Sequence, residues 1–161
     1  MKPAQIGFAF CLTVITVTLV GCKSFKSYET VYQDQQSFFN TNRTTFEAAA
    51  GILKSSMLRD TTLFVNDSHL GLPDSVARKL RSIGIAEISV FKGDCPTKEI
   101  RFTPDSLWDA ELFSVMEIIY DNCDERNQNG YHWVLEGSQH KHSFGQGGGW
   151  FIYSDTDRDP F

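Results

Sequence analysis

Three histidines near the carboxyl end are the residues best suited to hold a metal. His140 and His142 are separated by one residue, so both point to the same side of an extended chain, and His132 lies earlier on the same hairpin arm. Imidazole nitrogens are common ligands of zinc and copper, and a carboxylate would complete the set. The alternative is a long hairpin loop over residues 137–149, in which the histidines are simply hydrated. The glycines and serines of that segment favour the loop, so we expect no cofactor and keep a metal-binding or hydrolytic hairpin as the second interpretation.

The other motifs that could support chemistry do not match their templates. Residues 125–136 have the spacing of a calcium-binding loop, but Glu125 stands where Asp is usual and the flanks are strand-like. The glycines of residues 145–149 lack the Lys-Ser/Thr pair of a phosphate-binding loop, and a strand-like run follows them. The sequence has no Gly-x-Ser-x-Gly elbow. We therefore assign no catalytic residue and predict that the protein is not an enzyme.

The amino-terminal segment has the organisation of a secretion signal. Lys2 supplies a basic start, and residues 6–20 form an uncharged, mostly apolar run. This run is shorter than the roughly 20 residues that a membrane-spanning helix needs. A cleavable signal explains it better than a permanent membrane helix.

The cleavage site is the most specific motif of the chain. Leu19-Val20-Gly21-Cys22 resembles the lipobox of bacterial lipoproteins. The resemblance covers residues 1–22 only. It implies that residues 1–21 are removed, that the thiol of Cys22 receives a diacylglycerol, and that the new amino terminus is acylated, with palmitate among the expected chains.

The resemblance to lipoproteins also predicts a location. Two or more acyl chains hold a protein firmly at a membrane, whereas one chain binds only marginally. In this family an Asp directly after the acylated cysteine retains the protein in the inner membrane, but this chain has Lys23 there. For a Gram-negative source we expect the outer membrane, with the protein facing the periplasm. A Gram-positive source would place it on the outer face of the plasma membrane.

Charge and the remaining cysteines narrow the possible partners and the compartment. The chain of 161 residues has a formal net charge of −5. An acidic balance argues against nucleic acid as a partner, because nucleic-acid binding needs a basic surface. Cys95 and Cys123 would both remain after cleavage, and in an oxidising compartment such a pair predicts one disulfide.

The periodicity of the mature chain predicts an α+β fold. Residues 22–43 are polar and are predicted to form a tether, although several aromatics there favour partial packing. A capping-box pattern at Thr44 and Glu47 predicts the start of a first helix, and Pro73 and Gly84 bracket a second one. Residues 61–65 form a short strand-like run. About five strands with alternating apolar residues follow in the segments 85–92, 98–103, 113–121, 131–136 and 150–153.

These elements suggest two amino-terminal helices packed on one face of an antiparallel sheet in meander order. The predicted domains are a signal peptide at residues 1–21, a lipid-anchored tether at 22–43 and a single α+β domain at 44–161. Both predicted disulfide cysteines would then lie at the same end of the sheet, on neighbouring connections.

Aromatic residues beside the predicted hairpin loop are candidates for recognition. Trp150, Phe151 and Tyr153 adjoin residues 137–149, and aromatics next to adaptable polar loops are typical of binding surfaces. The alternative is that these rings form the edge of the core. We predict a non-enzymatic, lipid-anchored binding or interaction module of the cell envelope. Its expected partners are the membrane, through its lipid, and an envelope protein or polymer.

Overall fold

A computed structural model describes residues 28–92, 97–105, 115–123, 130–136 and 139–156. Within these ranges two helices pack on an antiparallel sheet of seven strands, which confirms the α+β class. The helices are α1 (Tyr28–Ser55) and α2 (Asp74–Ser82). The strands are β1 (Thr61–Phe64), β2 (Ile85–Lys92), β3 (Lys98–Pro104), β4 (Val115–Tyr120), β5 (Gly130–Glu136), β6 (Gln139–Gly147) and β7 (Trp150–Thr156).

The strands are arranged as two runs of hairpins rather than one meander. The order across the sheet is β1-β2-β3-β4-β7-β6-β5, and every neighbouring pair is antiparallel. The first four strands follow the predicted meander order. The last three fold back so that β7 pairs with β4 and β5 becomes an edge strand. The prediction of about five strands in simple meander order is therefore imprecise in both number and order.

Helix α1 is much longer than the sequence predicted. It begins at Tyr28, so Thr44 lies inside the helix, and residues 28–43 of the predicted tether are helical. Glu47 pairs with Arg43 one turn earlier, at 2.9 Å, instead of closing a capping box. The buried positions recur every three or four residues along the whole helix, which is the period of a single packed face. They are Val31, Gln35, Phe39, Asn42, Phe46, Ala49, Ala50 and Leu53.

The core lies between α1 and one face of the sheet. Phe39 stacks on Phe46, with ring centroids 5.8 Å apart, and lies 5.4 Å from Trp150 of β7. Phe46 then meets Phe102 of β3 edge-on at 5.2 Å. Nearer its start, α1 contacts β6 through Tyr32. The helix therefore crosses the sheet from β6 towards β3, and its amino-terminal half is part of the packed domain.

The segment predicted as a long hairpin loop is mostly a strand. β6 pairs with β5 on one side and with β7 on the other, so it is an interior strand of the sheet. Only residues 148 and 149 form the turn that joins β6 to β7, and Gly147, Gly148 and Gly149 all have positive φ values there. The run Gln-His-Lys-His-Ser-Phe-Gly-Gln-Gly has a single large apolar side chain, so it lacks the alternation by which strands are recognised.

Along the strand order, helix α2 lies at the opposite end of the sheet from the start of α1. It follows edge strand β1 and leads into β2, with Leu80 fully buried in the core. Gly84 follows it at a φ of 81°, a conformation that favours glycine, and its N–H donates to the carbonyl of Arg81. This helix end agrees with the sequence prediction.

Candidate functional site

The three histidines predicted as metal ligands are not brought together. His142 pairs with Ser154 of β7, whereas His132 of β5 pairs with Ser143, the residue next to His142. Because successive strand positions alternate between faces, positions 132 and 142 belong to opposite faces of the sheet. Position 140 shares the face of position 142 by the same alternation. No group of three metal-ligating residues is found among the residues that the structure describes.

His142 belongs to a buried polar cluster under the first turns of α1. It is 1% exposed, and its ring centroid lies 5.9 Å from that of Tyr32. Gln35, one turn further along α1, is also buried and donates to the hydroxyl of Ser154 at 3.4 Å. These polar groups face one another across the helix–sheet interface. Their position in the core identifies His142 as an interior residue of the fold.

The predicted binding aromatics are mainly core residues. Trp150 is 2% exposed and lies 5.1 Å from the Tyr120 ring, on the α1 side of the sheet. Phe151, on the other side, is fully buried. Of the three residues only Tyr153 is partly exposed. Trp150 and Phe151 therefore do not form a contact surface in this fold, because both side chains are buried.

The cysteines are only partly described. Cys22 and Cys95 lie outside the described ranges. Cys123 is disulfide-bonded, and its sulfur lies 3.5 Å from the hydroxyl of Thr97, two residues after Cys95. This contact brings the two connections to the same end of the sheet, as the predicted pairing requires. The identity of the bonded partner stays a prediction.

A cluster of charged residues, which the sequence analysis missed, occupies the sheet face opposite α1. Arg101 of β3 bonds both Glu99 and Glu117, the latter at 3.2 Å, and its guanidinium lies 5.0 Å from the Phe91 ring. Burial raises the pKa of the Glu117 carboxyl, and the neighbouring Arg101 only partly opposes this. Because the guanidinium already binds two carboxylates, the cluster is a cross-strand network. Alternating charges on β3 were visible in the sequence, but the partner strand was not.

A second missed feature is a groove beside α2. We call it the α2 groove, and it has a cavity volume of about 290 Å³. It lies between the turn after β1 and the exposed side of the helix. Its lining residues are Asn66, Asp74, Ala77, Arg78 and Arg81.

The two arginines of the α2 groove are available to a ligand. Arg78 and Arg81 are exposed, and neither forms an ion pair with any residue in the described ranges. The Nε of Arg78 donates to the carbonyl of Asp74, at 3.3 Å, which leaves the terminal nitrogens of that side chain for other acceptors. The guanidinium ends thus face solvent, where an anion can reach them. In the sequence, these cations on the polar side of an amphipathic helix are typical of a solvated face.

A large exposed aromatic lies near the α2 groove in the chain. Phe64 ends edge strand β1 with 63% of its surface exposed, two residues before Asn66. Among the described strands, β1 pairs only with β2, so its outer edge faces away from the sheet. Phe64 pairs with Glu87, whereas its neighbour Leu63 pairs with the core residue Ile88, so Phe64 lies on the face of the sheet away from the helices and does not line the α2 groove. We use the name α2 patch for the α2 groove and the exposed surface of α2 around it. The patch contains two arginines, a residue type enriched at recognition surfaces.

No protein-family model, curated protein or solved structure matches this chain. Its site must therefore be interpreted from its own residues. Among the helices in the described ranges, none is long and apolar enough to cross a membrane.

Proposed function

We propose that this protein is a lipid-anchored lipoprotein of the cell envelope that binds a partner and catalyses no reaction. The observation that carries the binding part is the α2 groove, with two exposed guanidiniums that no described carboxylate neutralises. Arginine stays protonated at all physiological pH values. Such a groove suits the binding of an anion.

The anchoring part of the proposal rests on the Leu19-Val20-Gly21-Cys22 motif. Diacylglycerol on Cys22 with a further acyl chain would attach the chain stably to a bilayer. Lys23 favours the outer membrane facing the periplasm for a Gram-negative source. The partner is an envelope protein or polymer, since these are the macromolecules available in that compartment.

The start of α1 and the α2 patch are well separated in the fold. Near its start α1 lies over β6, whereas α2 packs beside β2. Four inter-strand steps separate β6 from β2 in the sheet, which is about 19 Å at the usual strand spacing. A partner can therefore reach the α2 patch without contacting the start of α1.

The first experiment tests the anchor. Cells are fed an alkyne-labelled palmitate, and the wild-type chain is compared with Cys22→Ser. We expect the label on the wild type only, because the motif makes Cys22 the acylated residue. Equal labelling of Cys22→Ser would refute the lipoprotein assignment.

The second experiment tests the partner-binding surface in intact cells. A photo-crosslinking amino acid replaces Ser75, an exposed residue of α2 next to Asp74, in one strain and Ala48, an exposed residue of α1, in a matched control strain. We expect a discrete crosslinked adduct from position 75 and none from position 48. Adducts of equal yield and pattern at both positions would indicate random collisions and would contradict a binding role for the α2 patch.

A further inference from the structure

We infer that the α2 groove binds an acidic sugar unit of an envelope polymer, through a carboxylate or phosphate held between Arg78 and Arg81. The inference names the ligand class of the proposed function and rests on it for the compartment where the ligand is found. It concerns the purified protein as well, so it can be tested apart from the lipid anchor.

The spacing of the two arginines fits an oxyanion. Residues three positions apart on a helix are neighbours, with Cβ atoms about 5–6 Å apart. Two guanidiniums at that spacing can approach one carboxylate or phosphate from two sides. Each is a planar fork of N–H donors that matches the geometry of those groups.

The groove is held in a defined shape. Leu80 of the same helix is fully buried, so α2 is fixed against the sheet. The bond from Arg78 Nε to the Asp74 carbonyl restrains the side chain while its terminal nitrogens remain available. Ala77 directly precedes Arg78 in sequence and lines the groove, and its single methyl group leaves the space open.

The remaining lining residues favour a sugar over a bare ion. Asp74 contributes a carboxylate that would repel an anion placed beside it, but it can accept hydrogen bonds from hydroxyl groups. The Asn66 amide both donates and accepts. A cavity of about 290 Å³ is close to the lower limit of sites for small organic ligands. The groove thus combines a cationic part for the acid group with polar acceptors for the hydroxyls.

The overall charge makes local attraction necessary. The chain carries a net charge of −5, so its long-range field does not attract anionic polymers. We expect binding of such a polymer to depend on the cations at the groove and to weaken with salt. General electrostatic adsorption also weakens with salt, so dependence on Arg78 and Arg81 in particular is what separates the proposed site from it.

The test measures binding of the purified protein, in the form in which cells produce it and in detergent, to three immobilised glycans. They are peptidoglycan fragments bearing carboxylates, a phosphate-bearing envelope polysaccharide with its lipid removed, and neutral dextran. We expect binding to one or both acidic glycans and none to dextran. The first two surfaces distinguish a carboxylate source from a phosphate source.

The decisive variant is Arg78→Gln with Arg81→Gln. Its matched control, Lys79→Gln with Arg59→Gln, removes the same charge from exposed positions that do not line the groove. We expect the groove variant to lose binding at least about 10-fold, the effect of about 1.4 kcal/mol, and the control to change less than about 3-fold. Thermal denaturation verifies that both variants stay folded.

Three results would overturn the inference. They are the absence of binding to either acidic glycan, equal binding to dextran, or an equal loss in the two double variants. Failure of the lipid labelling with glycan binding retained would instead refute the proposed location and leave the α2 groove as a binding site.

Discussion

Phe39→Ala should destabilise the protein by about 3–5 kcal/mol, the usual cost of truncating a buried phenylalanine. Phe39 is fully buried and packs between Phe46 of α1 and Trp150 of β7, at 5.8 and 5.4 Å between ring centroids. Its removal would leave a cavity lined by two aromatic rings that are themselves fixed by the sheet. Such a site collapses poorly, which places the expected cost in the upper part of the range.

This residue distinguishes two descriptions of the amino-terminal segment. If residues 28–43 were a tether, the truncation would change the free energy of unfolding by less than about 0.5 kcal/mol, as exposed sites do. In the packed helix the loss is a large part of the roughly 5–15 kcal/mol that a domain typically has. It would lower the melting temperature by on the order of 10 °C or more.

The assay is urea denaturation of the mature protein, followed by tryptophan fluorescence and circular dichroism. Asn40→Ala is the matched control, because Asn40 is exposed on the next position of the same helix. We expect the control to be neutral or slightly stabilised, since alanine is the better helix former. A loss below about 1 kcal/mol for Phe39→Ala would show that the first half of α1 does not pack on the sheet.

Three further predictions address other parts of the fold. Gly51→Ala should stabilise the protein by about 0.5–1 kcal/mol, because the added methyl group meets no atom within 4 Å on the exposed helix. Gly149→Ala should destabilise it, because the φ of Gly149 is 86° and the new Cβ would lie 2.8 Å from a tyrosine ring. Thermal denaturation of both variants measures the difference. The raised pKa of Glu117 means that its contribution to stability is complete below its ordinary value of 4.5 and is lost as pH rises through the folded-state value. Stability measured from about pH 4 to 8 should therefore decline less for Glu117→Gln than for the wild type, and parallel curves would contradict the assigned burial effect. Non-reducing peptide mapping should recover Cys95 linked to Cys123, and free thiols at both would disprove the pairing.

Local rules were sufficient where one element could be recognised by itself. The apolar stripe of α2, with Pro73 before it and Gly84 after it, gave its position nearly as the structure has it. The alternating runs that became β2 and β3 were also recognised. In these segments the period of apolar residues, the turn residues and the packing all favour the same conformation.

Tertiary pairing decides the elements that the sequence did not predict. β6 is mostly polar and contains two glycines, so its residues do not show a strand pattern. It is nevertheless paired along both edges, and the hydrogen bonds from β5 and β7 hold it in the sheet. The strand order was not predicted for the same reason. The residues of β5 and β7 do not indicate that the last hairpins fold back against β4, because strand pairing depends on long-range contacts.

The α2 groove escaped prediction for a different reason. Arg78 and Arg81 occupy the exposed side of an amphipathic helix, where solvated cations are the ordinary case. The turn after β1 brings Asn66 beside the helix, and the groove forms between Asn66 and the exposed helix surface. A concave site formed by two elements cannot be inferred from the pattern of one.

The polar residues of α1 account for the error at its amino-terminal half. Gln35 and Asn42 fall on the buried stripe, where a reader of the pattern expects apolar side chains, so the stripe is interrupted before Phe46. In the structure Asn42 donates to the carbonyl of Phe38 at 2.9 Å, within its own helix, and Gln35 donates across the interface to Ser154. Since the sheet presents polar side chains at the same place, a polar helix face can be buried there. Amphipathic analysis treats each polar residue as outward-facing, and it fails where two elements place their polar residues opposite each other.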